Sequence, residues 1–250
     1  MAQASFHLPL IPHPARNNKN KTMSILALLK KASIATLGAA FISVVAVSTK
    51  PAQAANLLYF NDYNIGVDAM GQALADSGNQ LMIATSTNNF KTLINSGSYD
   101  VGIFFTQLNL ASSYSSAINA LGSFVQKGGK SIYTDWSMNT SLATQFGAGF
   151  TRTANFSQVS LTDSEYASGT YNLSNPGWGT YSMGLTALPG SSVVAKAENS
   201  DAAVVVGNEG RSVTFGFLAD TFADTAQGKA LFASFLRKLT SPVTVQCSIN

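Results

Sequence analysis

The chain has 250 residues, with 15 Lys and Arg against 12 Asp and Glu, a formal net charge of +3. That sign comes from the first 54 residues, which hold six basic residues (Arg16, Lys19, Lys21, Lys30, Lys31, Lys50) and no acidic one. From Ala55 onward nine basic residues stand against twelve acidic ones, a net charge of −3 with no basic cluster, which excludes nucleic acid as a partner.

Lys30 and Lys31 precede an uncharged apolar run, Ala32 to Val47, followed by the breaker Pro51 and the small-residue sequence Ala52-Gln53-Ala54. A basic stretch, an apolar stretch and an A-x-A site in that order are the parts of a secretory signal peptide. The apolar run is shorter than the roughly 20 residues a membrane-spanning helix needs. A retained anchor is the alternative. Met23 gives a more ordinary start than Met1. Residues 1–54 are therefore read as an N-terminal extension and signal peptide, 55–240 as a single domain, and 241–250 as a tail. The expected location is the periplasm or the outside of the cell, with no membrane span once the leader is cleaved. Residues 55–250 suffice for one domain with a sizeable core.

The first element of that domain is "NLLYF" (Asn56 to Phe60), a short apolar run that reads as a buried strand, closed by the turn "NDYN". A helical pattern follows from Ile65 to Ser77. "QLMIAT" (Gln80 to Thr85) is a second strand, and a short helix lies around Phe90 to Ile94. "YDVGIFF" (Tyr99 to Phe105) is a third strand. Between Ser112 and Gln126, Tyr114, Ala117, Ile118, Leu121, Phe124 and Val125 recur at helical spacing on one face. "KSIYT", from Lys130, is a fourth strand, and Asp135 and Trp136 leave its end. From Phe150 to Val206 the pattern turns to strands and turns. "AAVVVGNEGRSVTFGFLAD" then reads as a hairpin around Gly207 to Gly210, and a last helix runs from about Ala226 to Leu239. Strands alternating with helices imply right-handed βαβ units. The expected fold is α/β: a flavodoxin-like, mostly parallel sheet flanked by helices, with antiparallel strands and a hairpin in the C-terminal half.

The segments "SGSYDVGIFFTQLN", "ALGSFVQKGGKSIYTDW" and "VVVGNEGRSVTFGFLADTF…LFASFLRKL" together resemble type 1 glutamine amidotransferase-like domains, in particular the non-catalytic, trehalose-utilisation-like branch. The leader resembles those of cyanobacterial exported proteins. A working amidotransferase of this kind would carry a cysteine where the fourth strand ends, with a histidine and a carboxylate beside it. Here that strand ends in Asp135 and Trp136. His7 and His13, the only histidines, both precede the cleavage site, and Cys247, the only cysteine, lies in the tail. Cys–His and Ser–His–Asp catalysis are excluded for the mature chain, as are zinc or iron sites that need imidazole. One cysteine forms no intrachain disulfide, so a role for Cys247 would lie between chains.

Ligands of open α/β sheets sit beyond the carboxyl ends of the strands. The residues leaving those ends are Asp62 and Tyr63, Gln107, Asp135 and Trp136, and Asp220. The first five are the candidate ligand-binding set for a small polar ligand or an envelope partner, with no cofactor and no metal. In a flavodoxin-like order the strands bearing Asp62 and Asp135 stand two spacings, about 10 Å, apart. Carboxylates there reach the roughly 5–9 Å separation of glycosidases, so the second reading is a carboxylate-based hydrolase using Asp62 and Asp135, with Trp136, Tyr63 and Trp178 as stacking faces. A third makes the fold structural and self-associating. Against all three stands the plain role of a strand-end Asp, which is to cap a helix or turn. Asp62, Asn64 and Asp68 would also offer oxygens to calcium, but without the glycine and closing glutamate of the EF-hand loop.

Overall fold

The computed structural model describes residues 53–163 and 165–241. Residues 1–52 of the expected leader (1–54) and the tail thiol Cys247 lie outside the described residues. Among the described residues there are eleven strands and five α-helices: β1 (Asn56–Asn61), α1 (Ala69–Ala75), β2 (Gln80–Ile83), α2 (Thr87–Ile94), β3 (Val101–Thr106), α3 (Ser115–Gln126), β4 (Lys130–Asp135), α4 (Thr140–Ala143), β5 (Ala148–Thr153), β6 (Gln158–Leu161), β7 (Gly169–Asn172), β8 (Met183–Ala187), β9 (Ser192–Ala197), β10 (Ala202–Gly207), β11 (Ser212–Phe215) and α5 (Thr225–Thr240).

The strands form one mixed sheet in the order β2-β1-β3-β4-β11-β10-β9-β6-β7, with β8 joining β10 to β5. β2, β1, β3, β4 and β11 run parallel. The hairpin at Gly207 to Gly210 reverses the direction, and the pairs beyond it are antiparallel. The strand bearing Asp62 and the strand bearing Asp135 thus flank β3, as the flavodoxin-like order requires.

Helices cover both faces of the parallel half, which is why β1 and β3 read as unbroken apolar runs instead of alternating ones. Leu57 and Tyr59 of β1 enter one core with Met70, Ala73 and Leu74 of α1 and Leu231, Phe232 and Phe235 of α5. Leu58 and Phe60, on alternate positions, enter the other with Phe90 and Ile94 of α2 and Ile118, Leu121 and Val125 of α3. Gly102 lets α2 and α3 settle onto β3: a Cβ there would lie 2.5 Å from Leu121 Cδ1 and 3.0 Å from Ile94 Cδ1.

α1 is shorter than the periodicity from Ile65 suggests. It starts only after Asp68, whose side chain accepts from Gly71 N as the N-cap. The preceding Ile65 and Gly66 amides are bound to the Asp220 carboxylate instead of to a helical turn. The pattern from Ser112 divides into a 3-10 turn, Ala111–Tyr114, and α3.

Candidate functional site

The carboxyl ends of β1, β3, β4 and β11 carry the loops 62–68, 107–110, 136–139 and 216–224, and the segment around Trp178 packs against the first and last of them. All five candidate residues lie on this face; hydrogen bonds tie Asp62, Tyr63 and Gln107 together, while Asp135 and Trp136 bond to neighbouring residues of the loops after β3 and β4. Asp62 follows β1 directly and its carboxylate accepts from three successive amides after β3: Gln107 N at 2.6 Å, Leu108 N at 3.1 Å and Asn109 N at 2.8 Å. A carboxylate facing a run of backbone N–H groups locks the conformation of that loop.

Gln107 is buried and uses its whole amide. Its Nε2 donates to the Tyr63 carbonyl at 2.5 Å and to Asn64 Oδ1 at 2.9 Å, and its Oε1 accepts from Ala219 N at 2.6 Å. It therefore joins the loop after β1 to the loop after β11. Asp135 is fully buried and accepts from Thr106 Oγ1 at 3.1 Å, Ser137 N at 2.8 Å, Ser137 Oγ at 2.6 Å and Asn139 N at 2.8 Å. These four donors shape the turn in which Met138 adopts a φ of 54°. Trp136, half-buried, donates its Nε1 to the Asn109 carbonyl at 2.9 Å.

Tyr63 is 51% exposed, and its ring meets Trp178 edge to face at 6.1 Å. Trp178 Nε1 donates to Asp220 at 3.0 Å, while the other Asp220 oxygen takes the Ile65 and Gly66 amides at 2.8 and 2.9 Å. Both tryptophans of the chain therefore stand on this rim with their ring N–H groups held by the protein. Exposed Ile65, Val67, Leu108 and Leu110 lie in the same loops.

Behind the rim, the Tyr59 hydroxyl donates to Asp68 Oδ2 at 2.8 Å. Burial raises the Asp68 carboxyl above its ordinary range, against the hydrogen bonds from Gly71 and Tyr59, and the nearby Asp220 charge pushes the same way. Burial, reinforced by the Asp68 charge, holds the Tyr59 phenol well above its ordinary value. Sequence reasoning offered Asp68 only as a calcium ligand and left out its bond to Tyr59. Its position just before the α1 pattern was the available signal for a cap. The contact between Trp178 and Asp220, 42 residues apart, has no sequence signal.

The calcium donors serve different partners: Asp62 the loop amides, Asn64 the Gln107 and Asn61 side chains, Asp68 the helix cap and Tyr59. Among the described residues no three His, Cys, Asp or Glu side chains come together as a metal-binding group. The loops of this face contain Asp62, Asp68, Asp220 and Asp224 but no Lys, Arg or His. A cleft of about 880 Å³ opens at the opposite, amino ends of the strands, beside Asn56, Tyr99, Asp100 and Lys130. Gln53 and Ala54, on the leader side of the predicted cleavage point, form part of its wall.

No family model matches the sequence, and no curated protein matches it. Among solved structures, the chain is similar to a glutamine amidotransferase from Thermotoga maritima, with a TM-score of 0.52 and 10% identity over 76% of this chain and 100% of that one. The fold is glutamine amidotransferase-like. A Thermoplasma acidophilum protein described as part of a GMP synthase has the same TM-score, 0.52, at 11% identity over 75% of this chain and 95% of that one. At such identities the likeness concerns the amidotransferase-like fold alone. No helix among the described residues is long and apolar enough to cross a membrane.

Proposed function

We propose that this chain is an exported binding module on an amidotransferase-like fold, without catalysis of its own, that takes a small, uncharged polar ligand at the carboxyl-end rim. The leader, with Ala55 entering the sheet immediately after the A-x-A site, supports export to the periplasm or beyond. The observation that carries the reading is the use made of the polar residues at the strand ends. The oxygens of Asp62 and Asp135 are engaged by loop donors, and the Gln107 amide is spent on three partners. An acid–base pair needs carboxylates free to meet a substrate proton; these hold loops. From Ala55 to Ser241 there is neither cysteine nor histidine to act in their place.

What the rim offers instead is a fixed surface: the Tyr63 ring, the half-buried Trp136 and Trp178 rings, and the side chains of Asn64 and Asn109. Asp62, Gln107 and Asp135 position that surface, and Tyr63 and Trp136 touch the ligand. An anion would face Asp62, Asp68, Asp135 and Asp220 with no basic side chain in these loops to offset them. That argues for a neutral polar ligand and against phosphates and carboxylic acids.

Because the only two tryptophans both stand on this rim, tryptophan emission reports on it specifically. Titration with a panel of neutral polyols and sugars, against phosphate and carboxylate controls and glutamine, should give a saturable emission change for a neutral compound alone. That response should disappear in Tyr63→Ala. Hydrolysis of glutamine or of a glycoside by the purified chain, or a response confined to anions, would overturn the reading.

A further inference from the structure

The sheet has three edge strands, β2, β7 and β5, the last pairing only with β8 and carrying Arg152. β7 reads Gly-Thr-Tyr-Asn, a polar edge. β2 reads Gln-Leu-Met-Ile, and Met82 and Ile83 are 46% and 61% exposed, two of the seven large hydrophobic side chains exposed among the described residues. Native edge strands are commonly guarded by a Lys, a Pro or a bulge. From Asn79 to Phe90 there is no charged residue and no proline, and the β1–β2 register is regular.

In the parallel ladder with β1, the Gln80 and Ala84 amides donate to the Ala55 and Tyr59 carbonyls. The alternate residues, Leu81 and Ile83, turn their N–H and C=O groups to the open side. These two groups lie symmetrically about Met82. An antiparallel copy of the same strand, centred on Met82, would pair Leu81 of one chain with Ile83 of the other, twice. Every open backbone group of the edge would then be used, and Met82 would meet its own counterpart on the axis.

We infer that β2 is a homotypic docking edge through which two copies of this chain pair about a twofold axis, continuing the sheet from one copy to the next. The charge pattern selects a second copy over an unrelated strand. Twofold pairing sets each side chain within about 5 Å of a residue from its own strand, so a charge near the axis would meet its like. An edge built for an oppositely charged partner would carry a charge; this one carries none. Two four-residue strands cover less than the roughly 800 Å² per partner of a standard interface. The association is therefore a concentration-dependent equilibrium and not a permanent dimer.

The test is sedimentation velocity on the full chain as released by the producing cell, across a wide concentration range. The wild type should shift from monomer to dimer. Met82→Lys and Met82→Glu should each raise the dissociation constant at least tenfold, and an equimolar mixture of the two should dimerise again, because Lys then faces Glu across the axis. Hydrogen exchange on the wild type should show the Leu81 and Ile83 amides gaining protection as concentration rises, a readout that needs no variant. A wild type that stays monomeric, a dimer indifferent to both charges, or amides whose exchange ignores concentration would each overturn the inference.

Discussion

Asp68 shows how one side chain can carry two structural roles under electrostatic cost. It caps α1 through Gly71 and receives the Tyr59 hydroxyl, yet burial lifts its carboxyl above the ordinary value of 3.8. A group whose folded-state affinity for a proton exceeds its unfolded one stabilises the protein when protonated. Its contribution is thus greatest near and below pH 3.8 and declines as pH rises through the raised folded value. Asp68→Asn keeps a capping oxygen, since Asn serves at N-cap positions about as well as Asp, but removes the titration. Urea midpoints measured from about pH 4 to 7 should show the wild type losing ground relative to Asp68→Asn as pH increases. Parallel curves would mean that the carboxyl is not raised. Asp135, fully buried, collects four donors, two of them backbone amides, and so holds its turn in place.

Among elements, β11 does the most to define the fold, because it is the strand where parallel and antiparallel halves meet. Just past its end, Gly216 donates to the Ala203 carbonyl and accepts from Met183 N. A Cβ at Gly216 would lie 2.2 Å from the Met183 carbonyl oxygen and 3.2 Å from that of Ala203. Backbone cannot give way as a flexible side chain does, so Gly216→Ala should cost about 2 kcal/mol, measured by urea unfolding. Gly179→Ala, where a new Cβ meets nothing within 4 Å, should be close to neutral. The alternation of buried strands and amphipathic helices through β4 was legible because each signal is local: an unbroken apolar run for a strand covered on both faces, a helical period for the segment that covers it. The turn around Gly207 to Gly210 and α5 were legible for the same reason. The pairings of β6 with β9 and of β8 with β10 were not, since nothing within a strand names a partner distant in the sequence. The site divides along the same line. Strand order put Asp62, Gln107 and Asp135 at one end of the sheet. That Asp62 would hold amides some 45 residues away, or that Asp220 would hold Trp178, depends on loops whose conformation exists only once the sheet has formed.

At the scale of the whole molecule, the first strand starts within two residues of the expected cleavage point after Ala54. β1 begins at Asn56, Ala55 N donates to the Asn79 side chain at 2.9 Å, and the Ala55 carbonyl accepts from Gln80 N at 2.9 Å. Cleavage after Ala54 would therefore remove no strand residue, and the new α-amino group would keep its acceptor in Asn79. It would remove six basic residues and no acidic ones, reversing the net charge from +3 to −3. The full chain has an isoelectric point near 8.9; the released form should focus on the acidic side of neutrality and begin with Ala55 on N-terminal sequencing. A released form that is still basic, or that begins upstream of Lys50, would place the cleavage elsewhere and leave the chain with a cationic arm. The distinction matters for partners, because at −3 with sparse, dispersed charge a form released after Ala54 would have little long-range pull on any polyanion. On the reading proposed above, recognition would then fall to short-range contacts: aromatic rings at the strand ends and the uncharged edge at β2.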